Sequence, residues 1–158
     1  MKIVFSYSPI EELKEAASLV LHKQEYAHLR SVVWPSVSRF ISFDRNANKE
    51  IKRLESIWLR VANDTNQAFH DLSIKDLGNV TCYVHGISCE GWFNVNKNAI
   101  HVRTTNVVNN DERELIETII HELLHLATYR QELTYEQREK IVDEYLNKPQ
   151  FKKILGRT

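Results

Sequence analysis

The sequence predicts an α+β fold in which a small antiparallel sheet packs on one long helix, with further helices before and after it. Two patterns predict it. Apolar residues recur at helical spacing in the first and last thirds, and the middle holds three short segments rich in β-branched and aromatic residues. Composition agrees: 158 residues, 42% hydrophobic and 27% charged, suit one globular unit with a core of its own. The expectation is a single domain over residues 1–158. Its helical part would cover about 1–75, and its sheet and long helix 80–158.

Residues 2–8 suit a short strand. Pro9 fits the first turn of a helix, and residues 10–29 continue it with Leu13, Ala16, Ala17, Val20 and Leu21 at helical spacing. Trp34-Pro35 marks a break. A second helix is expected over residues 48–69, where Ile51, Leu54, Ile57, Trp58 and Val61 share a face. Residues 80–85, 91–95 and 99–104 read as three strands, parted by Gly86 and by the turn Asn96-Lys97-Asn98. Asp111 can cap a helix that carries Glu112 and Glu114 in its first turn and runs to about Gln131. Thr134 and Gln137 have the spacing of a capping box, so a last helix should run from there to about Lys148, before Pro149. Helices joined by so short a turn should pack as an antiparallel hairpin.

Lys plus Arg equals Asp plus Glu at 21 each, so the formal net charge is zero. That removes the electrostatic reason to expect a nucleic-acid or anionic-membrane partner. No stretch approaches the roughly 18 apolar residues of a membrane span. The start, MKIVFSYSPI, is too short in apolar residues for a signal peptide. Cys82 and Cys89 are too few for a disulfide framework. A cytoplasmic protein is expected. There is no internal repeat and no Pro/Gly-rich linker.

The segment Ile119-Ile-His-Glu-Leu-Leu-His-Leu126 carries the chemistry. His121 and His125 are four apart, so on a helix their imidazoles leave one face and can share a metal ion; zinc takes such nitrogens readily. Glu122 beside them is placed to take a proton from a water that the metal acidifies. At about 100° per residue, Leu115, Ile116, Ile119, Ile120, Leu123 and Ala127 form one apolar stripe. The two histidines fall nearly opposite it, with Thr118 and Thr128. A helix with its back in the core and its front lining a cleft follows.

This segment resembles the active-site helix of the zincin metallopeptidases, and the resemblance covers roughly residues 80–148. It implies a zincin-like fold, a Zn2+ cofactor held by His121 and His125, and Glu122 as general base. It also implies a peptide or protein substrate that pairs with an edge strand of the sheet. The metzincin pattern would need Gly and His where Thr128 and Gln131 stand, and a related pattern needs His at Tyr129, so both are excluded. The gluzincins take their third ligand from a Glu of the following helix.

Here that helix offers Glu136, Glu139 and Glu144. Glu144 follows His125 at the spacing of gluzincin aminopeptidases, and Asp143-Glu144 is similar to their Asn-Glu pair. Glu139 lies about 9 Å back along the second arm of the hairpin, level with His125 on the first, and shares a face with Val142 and Leu146. Asp143 would then accept a hydrogen bond from His121, as in thermolysin-like enzymes. Glu139 is favoured, with Glu144 the alternative. Glu144 points towards Lys140 and Lys148, a solvated face.

The implied reaction is metal-assisted peptide hydrolysis, which needs a further donor for the charged oxygen. Tyr129, Tyr135, Tyr145, His85, His101 and Arg103 are all eligible by type. Alternation makes His101 a half-exposed structural histidine, and Tyr145 with Ile141 a core pair. Peptide deformylase has Asp where Leu124 stands, and its Glu-Gly-Cys segment is absent. Two further readings compete. A non-catalytic zinc module would close its site with a fourth ligand from Cys82, His85 or Cys89, and an interaction protein would bind no metal.

Overall fold

A computed structural model describes residues 1–26, 32–104 and 111–157. Strand β1 (Lys2–Ser6) leads into helices α1 (Pro9–Leu21), α2 (Lys23–Tyr26), α3 (Val37–Leu59) and α4 (Ala62–Asp71). Strands β2 (Asn79–His85), β3 (Gly91–Asn94) and β4 (Ala99–Arg103) follow, and then helices α5 (Glu112–Thr128), α6 (Tyr135–Leu146) and α7 (Pro149–Ile154). The fold is α+β, and no described helix is long and apolar enough to cross a membrane.

The sheet corrects the expected all-antiparallel arrangement. Its order is β1-β2-β4-β3, with β1 and β4 both parallel to β2 and only β3 antiparallel to β4. Alternation of side chains has the same period of two in either sense, so it does not distinguish them. The connection decides. Residues 86–90 carry the chain past the end of β4 to the far edge, where β3 turns back through Val95–Lys97 and inserts β4 beside β2. Asn98, in the left-handed region at φ 45°, closes that turn and donates to the carbonyls of Leu77 and Asn79.

Local signals are realised at the helix starts. The side chains of Ser8, Ser36, Asp111 and Thr134 all accept from backbone N–H groups of the first turns, and Thr134 with Gln137 forms the full capping box. The helix expected over 48–69 begins earlier, at Val37, and is broken at Arg60 and Val61 into α3 and α4. The one expected over 10–29 is α1 followed by α2, and its residues 27–29 lie outside the described residues. So does most of the loop expected before α5.

Helix α1 departs furthest from its sequence pattern. Leu13, Val20 and Leu21 are 57%, 64% and 78% exposed, whereas Glu12 is fully buried. Glu12 is buried because it is satisfied: the Gly86 N–H donates to Oε1 at 3.0 Å, and His85 Nδ1 lies 2.6 Å from Oε2. His85 Nε2 in turn meets His101 Nδ1 at 2.9 Å. His101, expected half-exposed, is buried, stacked between Tyr83 and Trp92.

The apolar stripe of α5 is buried as expected, with Leu115, Ile119, Ile120 and Leu123 in the main core beside Ile100 and Val102 of β4. Helix α5 packs on β3, β4 and α6. That places its opposite face under the outer strand of the sheet.

Candidate metal centre

The front of α5 opens on a cleft of about 740 Å³ between β3 and α6. His121, Glu122, His125, Glu139 and Tyr135 line it, with Gly91, Trp92 and Phe93 forming the strand wall. The geometry at its centre is tight. Nε2 of His121 and Nε2 of His125 are 3.0 Å apart. Glu139 reaches across from α6, with Oε1 3.1 Å from His125 Nε2 and Oε2 3.4 Å from His121 Nε2. These three residues form a group whose ligand atoms lie within 4.8 Å of one another, a possible metal site.

The helix pair explains the convergence. Spacing of four puts both imidazoles on one face of α5, and α6 lies beside α5, with Glu139 on the side towards them. Phe93 lies flat on His125, with centroids 5.1 Å apart and planes at 10°. Tyr129 packs edge-on against Phe93. His125 is therefore only 5% exposed although it is on the helix face away from the core. Strand β3 covers it.

The electrostatics follow from these contacts. Burial pushes the Glu122 carboxyl up to about 7, with His121 working against the rise and Glu139 adding to it. Hydrogen bonds from His121 and His125 hold Glu139 well below the ordinary carboxylate range, against the effect of burial. Burial disfavours charge on His121. The hydrogen bond to Glu139 and the charges of Glu122, Glu139 and Asp143 outweigh it and raise the imidazole.

Among the sequence candidates, His121, His125 and Glu139 come together with Glu122 beside them, and Glu144 does not join them. It is exposed on α6 and lines a different cavity with Lys75, Arg130 and Lys148. Glu136 is exposed in the first turn of α6. The hydrogen bond expected from His121 to Asp143 is absent among the described residues, and Asp143 acts on His121 through its charge. Cys82 is buried in the core and His85 is engaged by Glu12 and His101. Cys89 lines the cleft but is outside the ligand group. Of the eligible oxyanion donors, Tyr135 lines the cleft; His101 and Arg103 are buried, and Tyr145 lines the Glu144 cavity.

Sequence reasoning missed Phe93 and Gly91. The available signal was a glycine opening a strand, which marks a close backbone approach. A Cβ built on Gly91 would lie 2.8 Å from Thr118 Cγ2 and 2.9 Å from both Cγ and Oε1 of Glu122.

Comparison with known protein families, with curated proteins and with solved structures finds no match to this chain. The site therefore stands on its own geometry.

Proposed function

We propose that this protein is a zinc metallopeptidase of gluzincin type, in which His121, His125 and Glu139 hold one zinc ion and Glu122 is the general base. The observation that carries the reading is the convergence of two imidazole nitrogens and a carboxylate at 3.0–3.4 Å beside a buried carboxylate in a cleft. Ligand bonds of about 2.0–2.1 Å in a tetrahedral zinc site set neighbouring ligand atoms about 3.3 Å apart, which these distances match. Three protein ligands also leave a position open, as catalytic zinc sites do; among the described residues no fourth His, Cys, Asp or Glu belongs to the group.

Bound there, zinc supplies a Lewis acid that polarises a carbonyl and acidifies water. Glu122, buried in the cleft beside the ligands, is placed to accept the proton of the attacking water and return it to the leaving amine. Tyr135, whose hydroxyl neighbours Glu139, is the donor we assign to the oxygen on which charge develops. Strand β3 ends the sheet beside the cleft, and an extended peptide can add to its free side as a further strand. Residues 1–158 act as one domain in this reading, supported by the pairing of β1 with β2. The partner is a peptide or protein and not a nucleic acid, and the compartment is the cytoplasm.

The test is metal analysis of desalted protein with cleavage of a peptide library. The wild type should hold about one zinc per chain and cleave, and Glu122→Gln should keep the zinc and lose cleavage. Cleavage retained by Glu122→Gln, or no metal bound after zinc is supplied, would overturn the reading.

A further inference from the structure

We infer that Gly91 is a positioning residue for Glu122: its bare backbone, with the methyl of Thr118, forms a seat that sets where the carboxylate stands in the cleft. This rests on Glu122 being the general base of the proposed reaction.

A Cβ at Gly91 would approach Thr118 Cγ2 to 2.8 Å and Glu122 Cγ and Oε1 to 2.9 Å, distances at which something must move. Three groups are eligible to give way: the strand, Thr118 or Glu122.

The strand is held along its paired edge and at its start. Gly91 is registered against Val102 of β4, and the Arg103 N–H donates to the Glu90 carbonyl at 2.9 Å. The Cys89 thiol donates to the Gly91 carbonyl. One step back, Ser88 exchanges two backbone hydrogen bonds with Val33, accepts from Arg103 Nη1 at its carbonyl, and gives its hydroxyl to Glu15 of α1. Moving Gly91 away from α5 would strain this set together.

Thr118 is held as well. Its hydroxyl donates to the Glu114 carbonyl at 3.0 Å in the rotamer that aims Cγ2 at the strand. Rotating the methyl away breaks that bond in its present geometry. Glu122 is the remaining group, a flexible side chain with no hydrogen bond among the described residues. Any side chain at position 91 therefore displaces the carboxylate, while His121, His125 and Glu139 keep their places.

Positioning on this scale matters to chemistry, because a shift of about 1 Å in a reacting group costs on the order of 100-fold in rate. A substitution that only loosened the fold would act on metal retention and melting temperature as well. The seat predicts a separation of these effects.

The experiment compares wild type, Gly91→Ala, Thr118→Ser and the double variant Gly91→Ala/Thr118→Ser, each loaded with zinc. Crystal structures read the position of Glu122, chelator competition reads zinc affinity, and peptide cleavage reads kcat and KM. Gly91→Ala should move the Glu122 carboxylate with β3 in place, hold zinc as tightly as wild type, and lose about 100-fold in kcat with KM little changed. The double variant, lacking the Cγ2 atom nearest the new Cβ, should recover part of that loss.

A Gly91→Ala structure in which β3 shifts and Glu122 stays would overturn the inference, as would full kcat or no recovery in the double variant. If Gly91→Ala fails to fold, Thr118→Ala decides: the opened seat should give Glu122 a second side-chain position, and a single unchanged one overturns the inference. If wild type cleaves nothing, the peptidase reading fails, and the coordinates of Glu122 in the variants still decide the seat.

Discussion

Phe93 and His125 are stacked with their ring planes 10° apart, although one belongs to the outer strand and the other to the long helix. The phenyl ring packs flat on the imidazole and shields it from water. Phe93→Ala should free that ring and weaken zinc binding by about 10-fold, the lower end of the effect of losing a group that orients a ligand. Chelator competition checks this, and unchanged affinity would remove Phe93 from the site.

Glu139 and Glu144 differ by five positions on α6 and face different cavities. Glu139→Ala should lose the metal after desalting, and Glu144→Ala should keep about one zinc per chain. The reverse outcome in mass spectrometry would transfer the third-ligand role to Glu144.

Glu122 is buried with its carboxyl raised from 4.5 to about 7. Its folded value lies above its unfolded one, so its contribution to stability is complete below pH 4.5 and is lost as pH rises through about 7. Metal-free Glu122→Gln should therefore match wild type at pH 4 and exceed it at pH 8, by about 2–4 kcal/mol. Urea unfolding of the apo protein at the two pH values measures the difference. Equal stability at pH 8 would mean that the carboxylate is hydrated in the cleft.

His101 has the opposite sign. Burial first, and the charge of His85 second, lower its imidazole from 6.5 to about 3. The unfolded chain takes up a proton that the folded one refuses, so stability is present above pH 6.5 and is lost as pH falls towards 3. The expected slope from this group is up to about 1.4 kcal/mol per pH unit below 6.5. His101→Gln should flatten the acid limb of stability by that amount per unit, and an unchanged limb would assign acid sensitivity elsewhere.

The residues explain which of these features could be read in advance. His121, Glu122 and His125 lie within five positions on one helix, and the start of that helix is marked by Asp111 and the start of the next by the capping box at Thr134. Each is a relation between near neighbours along the chain. Glu139 follows from packing α5 and α6 as a hairpin, whereas Glu144 is its rival through its spacing from His125, which the family resemblance supplies. Gly91 and Phe93 belong to a strand whose place at the sheet edge depends on how residues 86–90 cross the end of β4, a long-range choice with no local marker.

Helix α1 marks the limit most clearly. From its own residues it should bury Leu13 and Val20 and expose Glu12, and the structure does the reverse. Burial of that carboxylate requires His85, 73 positions away, and the backbone N–H of Gly86, 74 away. By itself the sequence determined the helices with local caps, the histidine-bearing face of α5 and the carboxylate beside it, because hydrogen bonds and side-chain periods over three or four residues dictate them. Tertiary structure alone decided the sense of the sheet, the wall of the cleft and which carboxylates are buried. Those depend on partners distant in sequence, whose desolvation and pairing outweigh local preference.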